Sequence, residues 1–213
     1  MMLFLDLDGC FADFASAAAK QINIYLSTYR KLGTIVLSKT VRKNMKVLVD
    51  LGIDEVRPIN LTHQNISVSE DILPRLTDNE VRKRKAVKRL VMWVANQEGF
   101  FLDLPVMNNN LLYKIRDSGI PFAFLSAPMN NNFCVTEKNI WIQSNLQHWL
   151  ANSVYRGSLF LHAKDKCWLA SEHTVLFDDK PETVHSWRAA GGTAFLCPHE
   201  QSEFVDFIRA NAQ

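Results

Sequence analysis

No stretch of this 213-residue chain approaches the roughly 18 consecutive apolar residues that a membrane-spanning helix needs, so a membrane partner is not expected. The opening run Met1-Met2-Leu3-Phe4-Leu5 is too short and too poor in basic residues for a secretory signal, and it meets a carboxylate at Asp6. That predicts a cytoplasmic protein. Cysteine is scarce and unpatterned: Cys10, Cys134, Cys167 and Cys197 make no C-x-x-C pair and no zinc-like spacing, and they read as reduced thiols. The histidines, His63, His148, His162, His173, His185 and His199, are scattered without an H-x-x-x-H pair, so none is assigned a metal. A net charge of +2 is too small to mark a nucleic-acid coat or a membrane-surface protein by itself, which leaves nucleic acid a disfavoured partner. There is no internal repeat, and Asn108-Asn109-Asn110 and Asn130-Asn131-Asn132 read as loop or helix-start chemistry.

What is present is a globular composition. With 47% apolar and 22% charged residues, the chain can bury a full core, as one domain with a large insert or as two domains. Its focus is the first fourteen residues. The run Leu3-Phe4-Leu5 ends in Asp6-Leu7-Asp8-Gly9, the pattern of a buried strand delivering charge at its carboxyl end. Side chains alternate along an extended chain, so Asp6 and Asp8 point to the same side. Two carboxylates so placed resist ionising together unless a cation lies near, and Mg²⁺, which takes carboxylate and carbonyl oxygens with water or phosphate, supplies that charge. Taken alone, Asp-x-Asp-Gly is equally well a turn after a strand.

The rest of the chain alternates helical and strand-like patterns. Residues 13–31 and 38–51 carry helical apolar spacing and close near Gly33 and Gly52. Residues 53–74 break into short pieces with no readable pattern. A capping box at Thr77-Asp78-Asn79-Glu80 opens a helix running to about residue 99. Its first turns hold Arg82, Lys83, Arg84, Lys85, Lys88 and Arg89, either a solvated face or a surface that helps to hold an anion. Residues 110–118, 136–150, 181–190 and 203–210 read as further helices. Residues 120–125, 158–161, 174–177 and 193–196 read as strands. Trp93, Trp141, Trp149, Trp168 and Trp187 are expected to pack in the core.

Such alternation predicts an α/β fold with a parallel sheet and helices on both faces, in which ligands bind at the carboxyl edge. Four strands, or the turns just beyond them, deliver polar residues to that edge: Asp6 with Asp8, Ser126, Lys166, and Asp178 with Asp179.

These four motifs, in this order, resemble those of the haloacid dehalogenase-like phosphohydrolases. Within that superfamily, residues 6–14, the segment Gly99-Phe100-Phe101-Leu102-Asp103-Leu104-Pro105, the run Cys134-Val135-Thr136-Glu137-Lys138 leading to Trp141, and Lys164-Asp165-Lys166 resemble the 5'(3')-deoxyribonucleotidases. The resemblance implies a Rossmann-like three-layer catalytic core of residues 1–13 and 100–213, with a mostly helical cap, residues 14–99, inserted after the first strand. It implies a Mg²⁺-dependent 5'-nucleotidase-like phosphatase acting through an aspartyl-phosphate on small phosphorylated substrates, and it leaves a homodimer open.

On that resemblance Asp6 is the nucleophile and Asp8 the general acid and base. Ser126 and the main chain of Ala127 hold the phosphate, Lys166 balances the charge, and Lys138 also reaches the phosphate. Asp6, the Asp8 carbonyl, Asp178 and Asp179 surround the metal, and Phe14 packs on the substrate. On its residue type alone, Lys138 reads equally as a solvated helix lysine and Phe14 as core. The chain departs from the family in having Ser126-Ala127 in place of Thr-Ser, and in lacking a counterpart to the aromatic segment that lines the nucleobase pocket. The same chemistry on another phosphomonoester, such as a nucleic-acid terminal phosphate or a small metabolite, is the alternative. A binding module without chemistry would have no need of both Asp6 and Asp8.

Overall fold

The computed structural model describes residues 1–32, 38–53 and 77–212. The segment that had no readable sequence pattern lies almost wholly outside them, as does His63. The chain divides into two compact units, residues 1–13 with 101–213, and residues 14–100.

The first unit is an α/β layer structure. Its strands are β1 (Met2–Leu5), β2 (Phe122–Ser126), β3 (Ser153–Phe160), β4 (Thr174–Asp178) and β5 (Thr193–Leu196), all parallel in the order β3-β2-β1-β4-β5. The central strands are short apolar runs because both faces of the sheet are covered. Phe4, Ala123, Leu125 and Leu176 face one layer, where Val184 and Trp187 of the helix Pro181–Ala189 pack, with the Phe4 and Trp187 rings 5.6 Å apart. On the other face Phe11 meets Phe124 at 5.8 Å, and Phe177 stacks at 4.4 Å on Phe204 of the helix Gln201–Ala210. Helices on both faces give the expected α/β class and its three layers.

Some boundaries differ from the sequence expectation, for physical reasons. Strand β3 begins at Ser153, five residues earlier than the apolar pattern suggested. It is an edge strand with Val154 and Tyr155 exposed. Its register jumps from Ser153 opposite Phe122 to Ser158 opposite Phe124, so no simple alternation marks its first half. At the start of the helix Cys134–Leu146 the Cys134 N–H donates to Asn131 Oδ1 at 2.7 Å, and the helix gives way to a 3₁₀ segment, Gln147–Asn152. Trp168, expected to pack, is 74% exposed on the 3₁₀ segment Ala163–Leu169. Trp141 and Trp187 are buried as expected.

The described elements of the second unit are helices α1 (Phe14–Leu32), α2 (Lys39–Asp50) and α3 (Asp78–Ala95), and the first residue of the 3₁₀ turn Phe100–Asp103. They pack on one another through Ile22 and Leu26, Val41, Met45 and Leu48, and Val87, Leu90, Val91 and Val94. Tyr25 meets Trp93 edge-on at 4.7 Å. Ser38 caps α2, and Thr77 with Glu80 forms the capping box of α3, which stops at Ala95 rather than near residue 99. Among the described residues no helix is long and apolar enough to cross a membrane.

Candidate functional site

The carboxyl ends of β1, β2 and β4 lie side by side, so the residue that leaves each strand arrives at one place. Asp6 follows β1, its N–H donating to the Phe177 carbonyl at 2.8 Å. The chain then turns through Gly9, whose φ of 82° is a conformation that glycine adopts freely. The loop after the turn is clamped by residues 105–108. Asp13 N–H donates to Pro105 O, Met107 N–H to Phe11 O, and the Asn108 side chain to Cys10 O at 2.6 Å. These bonds hold the loop that follows Asp6 and Asp8.

Two buried ammonium groups organise the carboxylates. Lys166 Nζ lies 2.6 Å from Asp6 Oδ1 and 2.7 Å from Asp178 Oδ2, and all three residues are at most 4% exposed. Lys138 Nζ lies 2.5 Å from Asp8 Oδ2, 2.9 Å from Ser126 Oγ and 2.9 Å from the Ala127 carbonyl. It is 1% exposed, which excludes the solvated-lysine reading. The Phe101 ring, 4.9 Å from Nζ, and the Asp8 carboxylate make this burial tolerable.

Segments distant in sequence support the lysines. Glu137 accepts the Phe101 N–H at 3.2 Å, and the Trp141 indole donates to the Leu104 carbonyl at 2.7 Å, fixing the helix that carries Lys138. Ser126 is held from behind, its N–H donating to Ser158 Oγ at 3.1 Å, while the Ser158 N–H donates to Asn139 Oδ1 at 2.8 Å.

The electrostatics follow from burial and proximity. Burial works to raise the Asp6 pKa, but the charges of Lys166, Lys180 and Lys138, with the Lys166 hydrogen bond, bring it below the ordinary carboxylate value. Asp178 goes the other way: burial and then the Asp6 charge outweigh Lys166 and push it up to about 7. Two buried carboxylates sharing one ammonium titrate as a pair, in which one ionises and the other resists. Lys166 is raised, since Asp6 and Asp178 overcome the burial that would lower it. Lys180 is raised on the same balance, with Asp6 and Asp179 as its main partners.

One oxygen each from Asp6, Asp178 and Asp179 lies within 4.8 Å of the others. This set of hard oxygen donors carries more negative charge than its lysines neutralise, as the reluctance of Asp178 to ionise shows, and it fits a divalent ion such as Mg²⁺. Asp8 Oδ1 is buried with no hydrogen-bond partner among the described residues.

Asp6, Asp8, Ser126, Ala127, Lys138, Lys166, Asp178 and Asp179 thus belong to one cluster. Phe14 does not share their unit: it opens α1, with its ring 5.4 Å from Phe100. Sequence reasoning passed over Lys180, although the run Asp178-Asp179-Lys180 was a signal for it. It also passed over Ser158, for which the sequence holds no signal.

No family model matches the chain, and no curated protein matches it. Several solved structures are similar. A HAD-superfamily hydrolase from Ehrlichia chaffeensis is 14% identical over all of this chain and 97% of its own, with a TM-score of 0.48. A HAD-superfamily hydrolase of subfamily IA from Geobacter sulfurreducens is 12% identical over 97% of this chain and 95% of its own, at 0.44. A HAD-hydrolase of Bacillus subtilis bound to magnesium is 9% identical over 91% and 84%, at 0.39.

Proposed function

We propose that this protein is a Mg²⁺-dependent phosphomonoesterase in which Asp6 is the nucleophile. The observation that carries the reading is Lys166 Nζ within 2.7 Å of both Asp6 and Asp178, a buried cation held against a carboxylate whose partners also suit a metal. A carboxylate approaches a phosphoryl group only where their mutual repulsion is cancelled. Asp6, Asp178 and Asp179 would hold Mg²⁺, which supplies further positive charge and orients the phosphate oxygens.

Asp6 attacks phosphorus in line with the ester oxygen, giving an aspartyl-phosphate and dividing hydrolysis into two easier transfers. Lys166 offsets the charge that gathers as the two groups meet. Ser126 and Lys138 hold phosphate oxygens, exchanging the contacts they make with each other for contacts with substrate. Asp8 protonates the departing oxygen, then takes a proton from the water that attacks the aspartyl-phosphate, releasing phosphate and restoring Asp6.

The narrower substrate class we propose is the deoxyribonucleoside monophosphates. What supports that class is the resemblance to 5'(3')-deoxyribonucleotidases, two of whose four segments, residues 99–105 and 134–141, are joined in the structure by the Glu137 to Phe101 and Trp141 to Leu104 hydrogen bonds. The test is hydrolysis of an aryl phosphate with Mg²⁺ or with chelator, followed by a panel of 5'- and 3'-nucleotides, oligonucleotides with terminal phosphates, and sugar phosphates. Mg²⁺-dependent turnover favouring deoxynucleotides supports the proposal. Turnover confined to sugar phosphates would remove the nucleotide class, and no turnover of any phosphate would remove the chemistry.

A further inference from the structure

The charge of the chain is unevenly placed. Helices α2 and α3 carry ten Lys and Arg against Asp50, Asp78 and Glu80, a net +7 within a protein whose net charge is +2, which leaves the remaining sequence at −5. On α2 the buried side is Val41, Asn44, Met45 and Leu48, so Lys39, Arg42, Lys43 and Lys46 lie on the outer side, all exposed. On α3 the buried side is Ala86, Val87, Leu90, Val91 and Val94, which turns Arg82, Lys85, Lys88 and Arg89 outward, also exposed. The two helices pack directly on one another, so their stripes belong to one unit. Among the described residues only Lys46 of these cations forms an ion pair, with Asp50 at 2.9 Å.

We infer that the outer face of α2 and α3 docks the phosphate backbone of a nucleic acid, independently of the phosphatase reading. Like charges held side by side on helices repel one another, and a linear polyanion relieves that repulsion while releasing its own condensed counterions. Arg82 to Arg89 spans about 10 Å at 1.5 Å per residue, a length over which a strand presents several phosphates. Arg42, Arg82 and Arg89 add forks that fit phosphate oxygens.

Chemistry separates this partner from two others. A helix that lies in a membrane buries Leu, Phe or Trp in lipid, but the apolar side of each helix here is used inside the unit, and on the basic side of α3 only Met92 is a large exposed apolar residue. A protein interface needs an apolar or aromatic centre within its charged rim, and among the described residues this face offers only the single Met92. With no exposed aromatic among the described residues of this face to stack on bases, the binding is indifferent to sequence.

The experiment is fluorescence anisotropy of the full chain with a labelled single strand of about 20 thymidines, titrated over a range of salt. The expected log K against log salt slope is about −3.5, for about five phosphates neutralised. The triple variant Lys85→Glu, Lys88→Glu, Arg89→Glu weakens binding at least about tenfold and makes the slope shallower by about 2, with an unchanged thermal unfolding midpoint showing that the fold is intact. No binding at low salt, or equal binding by a folded triple variant, overturns the inference. So does binding to phosphatidylserine vesicles with none to the oligonucleotide.

Discussion

Lys138 and Asp8, 130 positions apart in sequence, form an ion pair of 2.5 Å in which the ammonium is buried and the second carboxylate oxygen has no hydrogen-bond partner among the described residues. The lysine therefore holds one oxygen of Asp8 in place while the other remains available for proton transfer. Replacing Lys138 by Met keeps the length of the side chain and removes the charge. Turnover of an aryl phosphate is expected to fall on the order of 10²- to 10³-fold, the cost of removing one preorganised donor from a developing charge. Steady-state kinetics measure it, and a fall of less than about threefold would remove Lys138 from the machinery.

Metal binding should depend on pH with a definite sign. Asp178 sits above its ordinary carboxylate value, so between about pH 4 and about pH 7 the folded metal-free protein holds a proton there that the unfolded chain has released. That contribution to stability is full below the unfolded value and is lost as pH rises through about 7. Mg²⁺ must displace this proton at about pH 5.5 but not at about pH 8. Thermal unfolding with and without Mg²⁺ is expected to show the larger stabilisation at the higher pH, and the reverse order would contradict the assignment of Asp178.

Ser158 acts on Ser126 from behind, through the 3.1 Å bond to its N–H. Ser158→Ala leaves that N–H without its acceptor and lets the end of β2 shift, so kcat is expected to drop between about 10- and 100-fold. The shape of the pH profile should not change, because no titrating group is touched. A changed profile would give Ser158 a direct part in the chemistry.

Much of this arrangement was legible in the sequence, because strands buried on both faces write themselves as apolar runs. Leu3-Phe4-Leu5 and Phe122-Ala123-Phe124-Leu125 are such runs, and Asp6, Ser126 and Asp178 stand directly at strand ends where chemistry is expected. The failures were tertiary. Nothing local says that Lys138 turns inward, because a lysine on a helix ordinarily seeks water, and only the carboxylate arriving from β1 makes its burial acceptable. Trp168 was expected to pack from a core-like helical position, but in the 3₁₀ segment Ala163–Leu169 it is Lys166 that is buried. The first half of β3 escaped because its exposed side chains and shifted register erase the period of two.

Packing behind the sheet gives a prediction independent of activity. A Cβ at Gly192 would lie 2.2 Å from Nε1 of the fully buried Trp187, an overlap that only displacement of the indole relieves. Gly192→Ala is expected to lower stability by about 1–3 kcal/mol, read as a shift in the denaturant midpoint without a change in slope. An unchanged midpoint would mean that Trp187 is not held where the sheet places it.

The central claim is that Asp6 forms a covalent bond to phosphorus. Acid quenching during turnover of a substrate carrying radioactive phosphate, followed by mapping of the labelled peptide, tests it most directly. With an aryl phosphate whose leaving group needs no acid, the account predicts label within residues 1–13, absent in Asp6→Asn and accumulated in Asp8→Asn, where the second step lacks its base. Turnover without any protein-bound label in Asp8→Asn, or activity surviving in Asp6→Asn, would contradict it.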